Sequence, residues 1–536
     1  MKPDDSEDAD RDRRRRQKPA LDHPAMIALL FVGGLLISGF TILRGVEPFD
    51  EGLTLQAARR VAEGQLPYSD FLWAYGPGHV YLLGALFKLF GTSLLWWRII
   101  RVLVDAGVAL LVFAVVRREA PFKVALVAWL TTACAMAQPT GANPFAPALL
   151  FSLGAIVVAA RASGRRGWIG AGALCALAAV WRLDFGVYAA IAACATALVA
   201  SAPVQAAAAG EPAARSRFGA ALTVIATFAA ITAAIYLPFA IVDGPADAWR
   251  DLVGRSLNQG RYWRLPFPLD YEGRLRLWPP GSLAHDAKDV LAYYVPLLLV
   301  LGLVAALVAI VVRRLHRNPI IVGLAVVGLT YIAYLLSRTD EFHSTPLIVV
   351  LAALLSILVL RLPMRGGAVL ALVLLALLAY GASNRVSALF GPPRLATIHI
   401  PVADGVKAPP AEARSIEQMV AAVQRRVPAG DPIYSVTQRS DLVRINDPLI
   451  YVLSERDNPT PQDFGLQTGA AAQRAIVASL ERSRPKVIVR WLSPESTKRE
   501  PNARGTPTGV HILDKWLAIH YRRGPRFGSY RLLVRD

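Results

Sequence analysis

Long apolar stretches separated by short polar ones make up most of the chain. Runs able to cross a hydrocarbon core of about 30 Å, at roughly 1.5 Å of helical rise per residue, fall at about 26–43, 95–116, 121–138, 143–161, 167–182, 184–201, 217–240, 288–312, 318–336, 344–361 and 366–382. They predict about eleven transmembrane helices. With 1–25 taken as a basic cytoplasmic tail, alternation returns five basic loops to the same side: "RREAPFK" (117–123), "RASGRR" (161–166), "RSR" (215–217), "RRLHR" (313–317) and "RLPMR" (361–365). That agreement with the positive-inside rule puts the N-terminus in the cytoplasm. The first run is too long for a signal-peptide core and lacks a small-residue cleavage site, so it reads as an uncleaved helix.

One stretch breaks the alternation. "GPGHVYLLGALFKLFG" (76–91) is apolar, but it is short, opens on Gly-Pro-Gly and carries Lys88. Counted as a span, it would put every later basic loop outside, so it is expected to lie at the outer surface as a juxtamembrane or re-entrant helix. The first outer loop then covers about 44–94 and a second about 242–286, lengths that usually mean function. Beyond about 382 the polarity becomes ordinary, with β-like runs "PIYSV" (432–436) and "KVIVRWL" (486–492) and helical runs over 411–426 and 470–482. The expected organisation is the tail 1–25, a transmembrane module over 26–382 and an extracytoplasmic α/β domain over 383–536.

Composition sharpens this picture. With 536 residues, 54% hydrophobic and 18% charged, the chain is too apolar for an ordinary soluble domain and fits a multi-pass protein of the inner (plasma) membrane, with membrane lipids as its surroundings. The net charge of +19 is carried mainly by short clusters between apolar runs, which argues against nucleic acid as a partner. Cys134, Cys175 and Cys194 all fall inside apolar runs and form no disulfide or zinc pattern.

Charge of mixed sign collects on the outer side. It comprises Asp50 and Glu51 in "VEPFDEGLTLQAARR", Arg182 and Asp184 in "WRLD", Arg261, Arg264 and Asp270 in "GRYWRLPFPLDYEG", and Arg338, Asp340, Glu341 and His343 in "SRTDEFHS". Such groups are costly against hydrocarbon and either pair or line a cavity, so one shared outer cavity is expected. Each has a plainer reading beside it. Asp50 suits the N-cap of a helix, the two Arg-Asp segments suit simple polar turns, and Tyr68, Trp73 and Tyr75 suit an interfacial aromatic belt.

The acid pair beyond a first helix, the amphipathic run after it, "PY" (67–68), "YGP" (75–77) and "KLFG" (88–91) leading into the next span together resemble the GT-C superfamily of membrane glycosyltransferases. Within it the similarity is to the protein mannosyltransferase, aminoarabinose transferase and related bacterial sugar-transferase group. The runs "ERSRPKVIVRW" (481–491), "LDKWL" (513–517) and "RFGSYRLL" (526–533) are similar to the extracytoplasmic tails of bacterial members. The resemblance implies a polytopic α-helical GT-C-like fold with a C-terminal extracytoplasmic α/β domain. It further implies inverting transfer of a hexose or pentose, on the outer face, from a polyprenyl-phosphate-linked donor to a hydroxyl of an envelope acceptor: glycolipid, glycan or protein.

In that reaction Asp50 matches the general base, with Glu51 as its companion. Arg182, Asp184, Arg261, Arg264, Arg338, Asp340, His343, Tyr68 and Tyr75 are the expected donor phosphate and sugar contacts. Adjacent carboxylates also suit a hard divalent cation, but Asp50 and Glu51 fall short of its ligand count, which leaves metal dependence open. A transporter or flippase of a lipid-linked precursor is the alternative; it would carry charge near mid-bilayer, where Asp105 is the main example. A non-catalytic scaffold would keep Asp50, Arg182 and Arg338 apart.

Overall fold

A computed structural model describes residues 24–201, 213–254, 263–390, 394–442, 446–463, 468–497, 500 and 506–535. Each of the eleven expected spans forms a helix: α1 (Pro24–Gly39), then, after two short helices of the first outer loop, α4 (Leu95–Glu119), α5 (Phe122–Met136), α6 (Phe145–Arg161), α7 (Arg165–Trp181), α8 (Leu183–Ala200) and α9 (Ala213–Asp243). After a five-residue helix α10 (Pro245–Trp249) come α11 (Pro280–Val312), α12 (Pro319–Ser337), α13 (Glu341–Leu358) and α14 (Met364–Phe390). Seven of the described helices are long and apolar enough to cross a membrane, and α1, α5 and α6 are shorter apolar helices. The protein is a multi-pass membrane protein.

At the centre runs α13, whose residues from Ser344 to Leu358 are all buried. A helix apolar on every side has no face to offer water and takes the core. Small residues let its neighbours approach closely. A Cβ on Gly381 would lie 3.0 Å from that of Cys134, joining α14 to α5, and one on Gly323 would lie 2.4 Å from Thr196 Oγ1, joining α12 to α8. Asp105 is locked in place, since its carboxylate accepts from Arg101 Nε at 2.7 Å and Ser38 Oγ at 2.8 Å. Arg101 also donates to the carbonyls of Gly141 and Met136, at 2.8 and 3.1 Å. This network clamps α4 to α1 and to the loop after α5, so Asp105 is a fixed charge and not a mobile one.

The two short helices are α2 (Asp50–Ala62) and α3 (Gly78–Phe90). With 13 residues, α3 is about 20 Å long and too short to span. It lies beside amphipathic α2, where Leu55 and Ala58 meet Leu83 and Phe87 in one buried cluster.

That cluster continues into the C-terminal part, which holds β1 (Ala396–Thr397), β2 (Lys407–Ala408), α15 (Pro410–Arg426), β3 (Tyr434–Val436), α16 (Leu449–Ser454), α17 (Ala470–Ser483), β4 (Val487–Trp491), α18 (Ile512–His520), β5 (Tyr521–Phe527) and β6 (Tyr530–Arg535). The main sheet has the order β3-β4-β6-β5, with β3 and β4 parallel and the other pairs antiparallel. Alternation along the strands divides its side chains. Val487, Val489, Trp491 and Leu532 join the cluster of α15 and α2, while Ile488 and Leu533 pack under α17 and α18.

This domain sits on the first outer loop. Gly45 N–H donates to Lys407 O at 2.7 Å, and Lys407 N–H returns a bond to Leu43 O at 2.8 Å. Arg60 pairs with Asp463 at 3.0 Å in a nearly dry contact. Gly52 touches the start of α16 so closely that a Cβ there would lie 2.4 Å from Leu449 N. Gly52→Ala should therefore cost about 1–3 kcal/mol by overpacking, seen as a lower thermal midpoint of the detergent-solubilised protein; an unchanged midpoint would show that the contact relaxes freely.

Candidate active site

The first turn of α2 is held from behind. Glu47 accepts the N–H of Phe49 at 3.2 Å and of Glu51 at 2.6 Å, and its own N–H donates to Glu51 Oε2 at 3.2 Å, a reciprocal capping arrangement. Burial first, then the neighbouring Asp50 charge, pushes the Glu47 carboxyl well above its ordinary value. Phe49 occupies the N-cap position, so Asp50, expected as the cap, is instead the first helical residue. Among the described residues nothing donates a hydrogen bond to the Asp50 carboxylate, which is half-buried.

Glu51 points the other way. Both its oxygens accept from the Arg98 fork, at 2.6 and 2.8 Å, with both side chains fully buried. Arg98 also donates to Ile42 O and Gly45 O, each at 2.9 Å, fastening the loop entry to α4.

The second wall comes from the "YGPG" turn. Gly76 N–H donates to Trp181 O at 3.1 Å, and a Cβ on Gly76 would lie 2.1 Å from Val180 O. Only glycine lets this turn rest on the end of α7, and the result sets the Tyr75 ring 5.4 Å from the Arg182 guanidinium. Tyr68 stands behind the wall, buried, with its hydroxyl donating to Tyr75 O at 2.6 Å. Trp73 is also buried, donating from Nε1 to Gly76 O at 3.0 Å. These two rings face protein, not the interfacial belt of the plainer reading.

Arg182 grips Asp184 with two bonds of 3.0 and 2.7 Å, donates to Asn143 Oδ1 at 3.0 Å and lies 4.7 Å from the Tyr334 ring. Tyr334 is 4.6 Å from His343, ring to ring. His343 Nδ1 lies 2.6 Å from Asp340, which also caps α13 by accepting His343 N–H at 3.0 Å. Arg338 Nε donates to Asp340 at 2.6 Å, and its fork takes both oxygens of Glu500 at 2.9 and 3.0 Å. It also donates to Trp263 O at 2.9 Å, and Trp263 lies 6.5 Å from Phe49, ring to ring, so the second outer loop passes beside the cluster.

Asp50 closes the ring of residues electrostatically. Burial, then the Asp340 charge, raises its carboxyl from the usual range to about 6, against the pull of His343 and Arg338. Burial and the Asp50 charge push the Tyr75 hydroxyl to about 12. Asp340 goes the opposite way: burial would raise it, but the hydrogen bonds and charge of His343, with Arg338, hold it below the ordinary value.

Asp50, Tyr75, Arg182, Asp184, Arg338, Asp340 and His343 thus form one cluster, where a scaffold would have scattered them. Arg264 is exposed, with no side-chain hydrogen bond or ion pair among the described residues. Arg261 lies outside those residues. Four participants had not been singled out: Glu47, Asn143, Tyr334 and Glu500. Asn143 lies in the outer segment "QPTGANPF", and Tyr334 stands one helical turn before Arg338, signals that only the assembled turn makes specific. Among the described residues no three His, Cys, Asp or Glu side chains group in a way that could hold a metal ion.

A membrane-embedded helical bundle carrying a charged site and a small α/β domain is a fold this chain shares with GT-C membrane glycosyltransferases of known structure. The chain has the fold of ArnT, the aminoarabinose transferase from Cupriavidus metallidurans, in its apo state: TM-score 0.57, 13% identity, 94% of this chain and 97% of that one. It is also similar to the oligosaccharyltransferase AglB from Archaeoglobus fulgidus in complex with an inhibitory peptide and a dolichol-phosphate, with TM-score 0.51, 12% identity and 95% and 74% of the two chains covered. A structure of the Archaeoglobus fulgidus oligosaccharyltransferase with Zn and sulfate gives TM-score 0.51 at 14% identity, over 86% and 68%. No protein-family model and no curated protein matches the sequence.

The raised Asp50 carboxyl has a consequence for stability. The folded state holds this proton more tightly than the unfolded chain does, so stability falls as pH rises from about 4 to about 6 and the penalty, about 2–3 kcal/mol, is constant above. Asp50→Asn should melt higher than wild type at pH 7.5 and equally at pH 4. Equal melting at both would place Asp50 in an ordinary aqueous setting.

Proposed function

We propose that the protein is an integral-membrane glycosyltransferase that moves a sugar from a polyprenyl-phosphate-linked donor to a hydroxyl of an envelope acceptor, with inversion at the anomeric carbon. The observation that carries this reading is the Asp50 carboxylate, half-buried and without a hydrogen-bond donor among the described residues, in electrostatic contact with Arg338 and His343 and, through Tyr75, with Arg182. A carboxylate so placed can take the acceptor hydroxyl proton as its oxygen attacks the anomeric carbon. The bond from that carbon to the phosphate oxygen then breaks, and the lipid phosphate leaves with the electron pair. Arg182 and Arg338 offset its growing charge, while Asp184 and Asp340 fix the two cations in place and present acceptors to sugar hydroxyls.

The Glu51 carboxylate, sealed by Arg98, acts here as a support for α2, and Tyr68 supports Tyr75 in the same way. Arg261 and Arg264 belong to the second outer loop, which approaches the cluster at Trp263. The site lies on the extracytoplasmic side, with the N-terminus in the cytoplasm and the C-terminal domain outside. The dolichol-phosphate in the AglB complex belongs to the lipid-phosphate class proposed as leaving group. The described side chains do not by themselves make a cation site.

Transfer of a radiolabelled sugar from a polyprenyl-phosphate donor by the purified protein tests the reading. Asp50→Asn should lower the turnover number about 10²–10⁴-fold while donor binding persists, and the wild-type rate should climb as pH passes through about 6 and the carboxyl ionises. Near-normal transfer by the variant would reject Asp50 as the base.

A further inference from the structure

The C-terminal sheet carries a row of like charge. In register, Arg490 of β4 stands opposite Arg531 of β6, and Arg531 stands opposite Arg526 of β5. Arg523 of β5 faces Leu533, two residues from Arg531, and so shares the same side of the sheet. Four arginines therefore converge on the face shared with Ile488 and Leu533, opposite to the one that packs on α2 and away from the Asp50 cluster.

Like charges set directly across from one another destabilise a sheet, and little among the described residues answers them here. The Nε atoms of Arg490 and Arg531 are both sealed from solvent with no hydrogen-bond partner. Asp514 approaches Arg490 only to 3.8 Å, and its other oxygen is taken by the Ser440 N–H and hydroxyl at 2.9 and 2.7 Å. Arg526 spends its Nε on Gly528 O at 2.9 Å. Burial depresses Arg490 below its ordinary value; Asp514 opposes this and the charges of Arg523 and Arg531 add to it.

Planar guanidinium forks with free donors, held close together on a rigid sheet, are suited to oxyanions and above all to phosphate, whose oxygens can bridge two forks at once. We propose that Arg490, Arg531, Arg526 and Arg523 form a phosphate-binding site on the C-terminal domain, separate from the reaction site and independent of the function assigned to it. The site would take phosphate either as a free or terminal monoester or as the phosphodiester of a lipid headgroup or envelope polymer.

Hydrogen exchange along β4 and β6 in the full-length, detergent-solubilised protein reads this site and not the Asp50 cluster. Adding inorganic phosphate at ten times its dissociation constant, against sodium chloride of equal ionic strength, should slow local opening of the ladder about tenfold in wild type and leave Arg531→Gln and Arg490→Gln unchanged. In phosphate-free buffer both variants should exchange more slowly than wild type, because each removes one repelling charge. Glycerophosphoglycerol, a phosphodiester, provides the second arm. Protection equal to that from inorganic phosphate assigns the site to lipid or polymer diesters, and protection by inorganic phosphate alone assigns it to free or terminal phosphate. No protection by either anion, with the variants exchanging faster than wild type, would show that the row is balanced internally and overturn the proposal.

Discussion

The part of the molecule that holds the candidate site depends on the buried ion pair between Glu51 and Arg98. Two adjacent carboxylates at a helix start repel each other, and taking either out of water costs several kcal/mol unless its charge is met with good geometry. Arg98 meets Glu51 with both arms of its fork and spends its other donors on the loop from α1. Successive residues on a helix differ by about 100° in direction. Once Glu51 is fixed inward, Asp50 must face elsewhere, and the direction left to it is the cluster of Tyr75, Arg338, Asp340 and His343. Glu47 completes the arrangement by satisfying the helix N-terminus, which releases Asp50 from capping.

Cations are held with the same economy of contacts. Arg182 and Arg338 each arrive at the end of a spanning helix, where a short turn places a partner acid two residues later. A fork engaged by a carboxylate has a fixed plane, so its charge is aimed and not merely present. The glycine-built turn at Tyr75 and the Tyr334 ring enclose Arg182, and Glu500 brings the C-terminal domain into contact with Arg338. The soluble-looking tail is thereby part of the site's framework, through Glu500, through Arg60 and Asp463, and through the close approach of Gly52 to Leu449.

Much of this was legible in the sequence, for identifiable reasons. Spans announce themselves because hydrocarbon tolerates only long apolar helices, and "GPGHVYLLGALFKLFG" could be kept out of the count because its length and Lys88 conflict with spanning. The charged turns could be assigned to one side because alternation is a strict rule of threading. Partnership was not legible. Nothing near Glu51 in sequence points to Arg98, 47 residues away, and Asp50 as an N-cap was reasonable until Glu47 proved to supply the caps. Tyr68 and Trp73 read as an interfacial belt because aromatic residues beside a span usually are one; burial beneath the "YGPG" turn depends on the glycine contacts with α7.

Burial first, and the Asp340 charge after it, explain why Asp50 sits where it does on the pH scale. Arg182 is taken up by Asp184, and Arg338 by Asp340 and Glu500, so the pull of Arg338 and His343 on Asp50 does not overcome its burial and the Asp340 charge. A carboxylate near the usual aqueous value would be a feeble base, and one raised far above neutrality would stay protonated and inert. A value of about 6 leaves Asp50 mostly ionised at neutral pH while making it roughly a hundredfold more basic than an ordinary aspartate, the compromise that general-base catalysis favours. The same desolvation that makes Asp50 more basic makes it a liability for stability, carried on a helix that packs closely against α16 at Gly52 and Leu449.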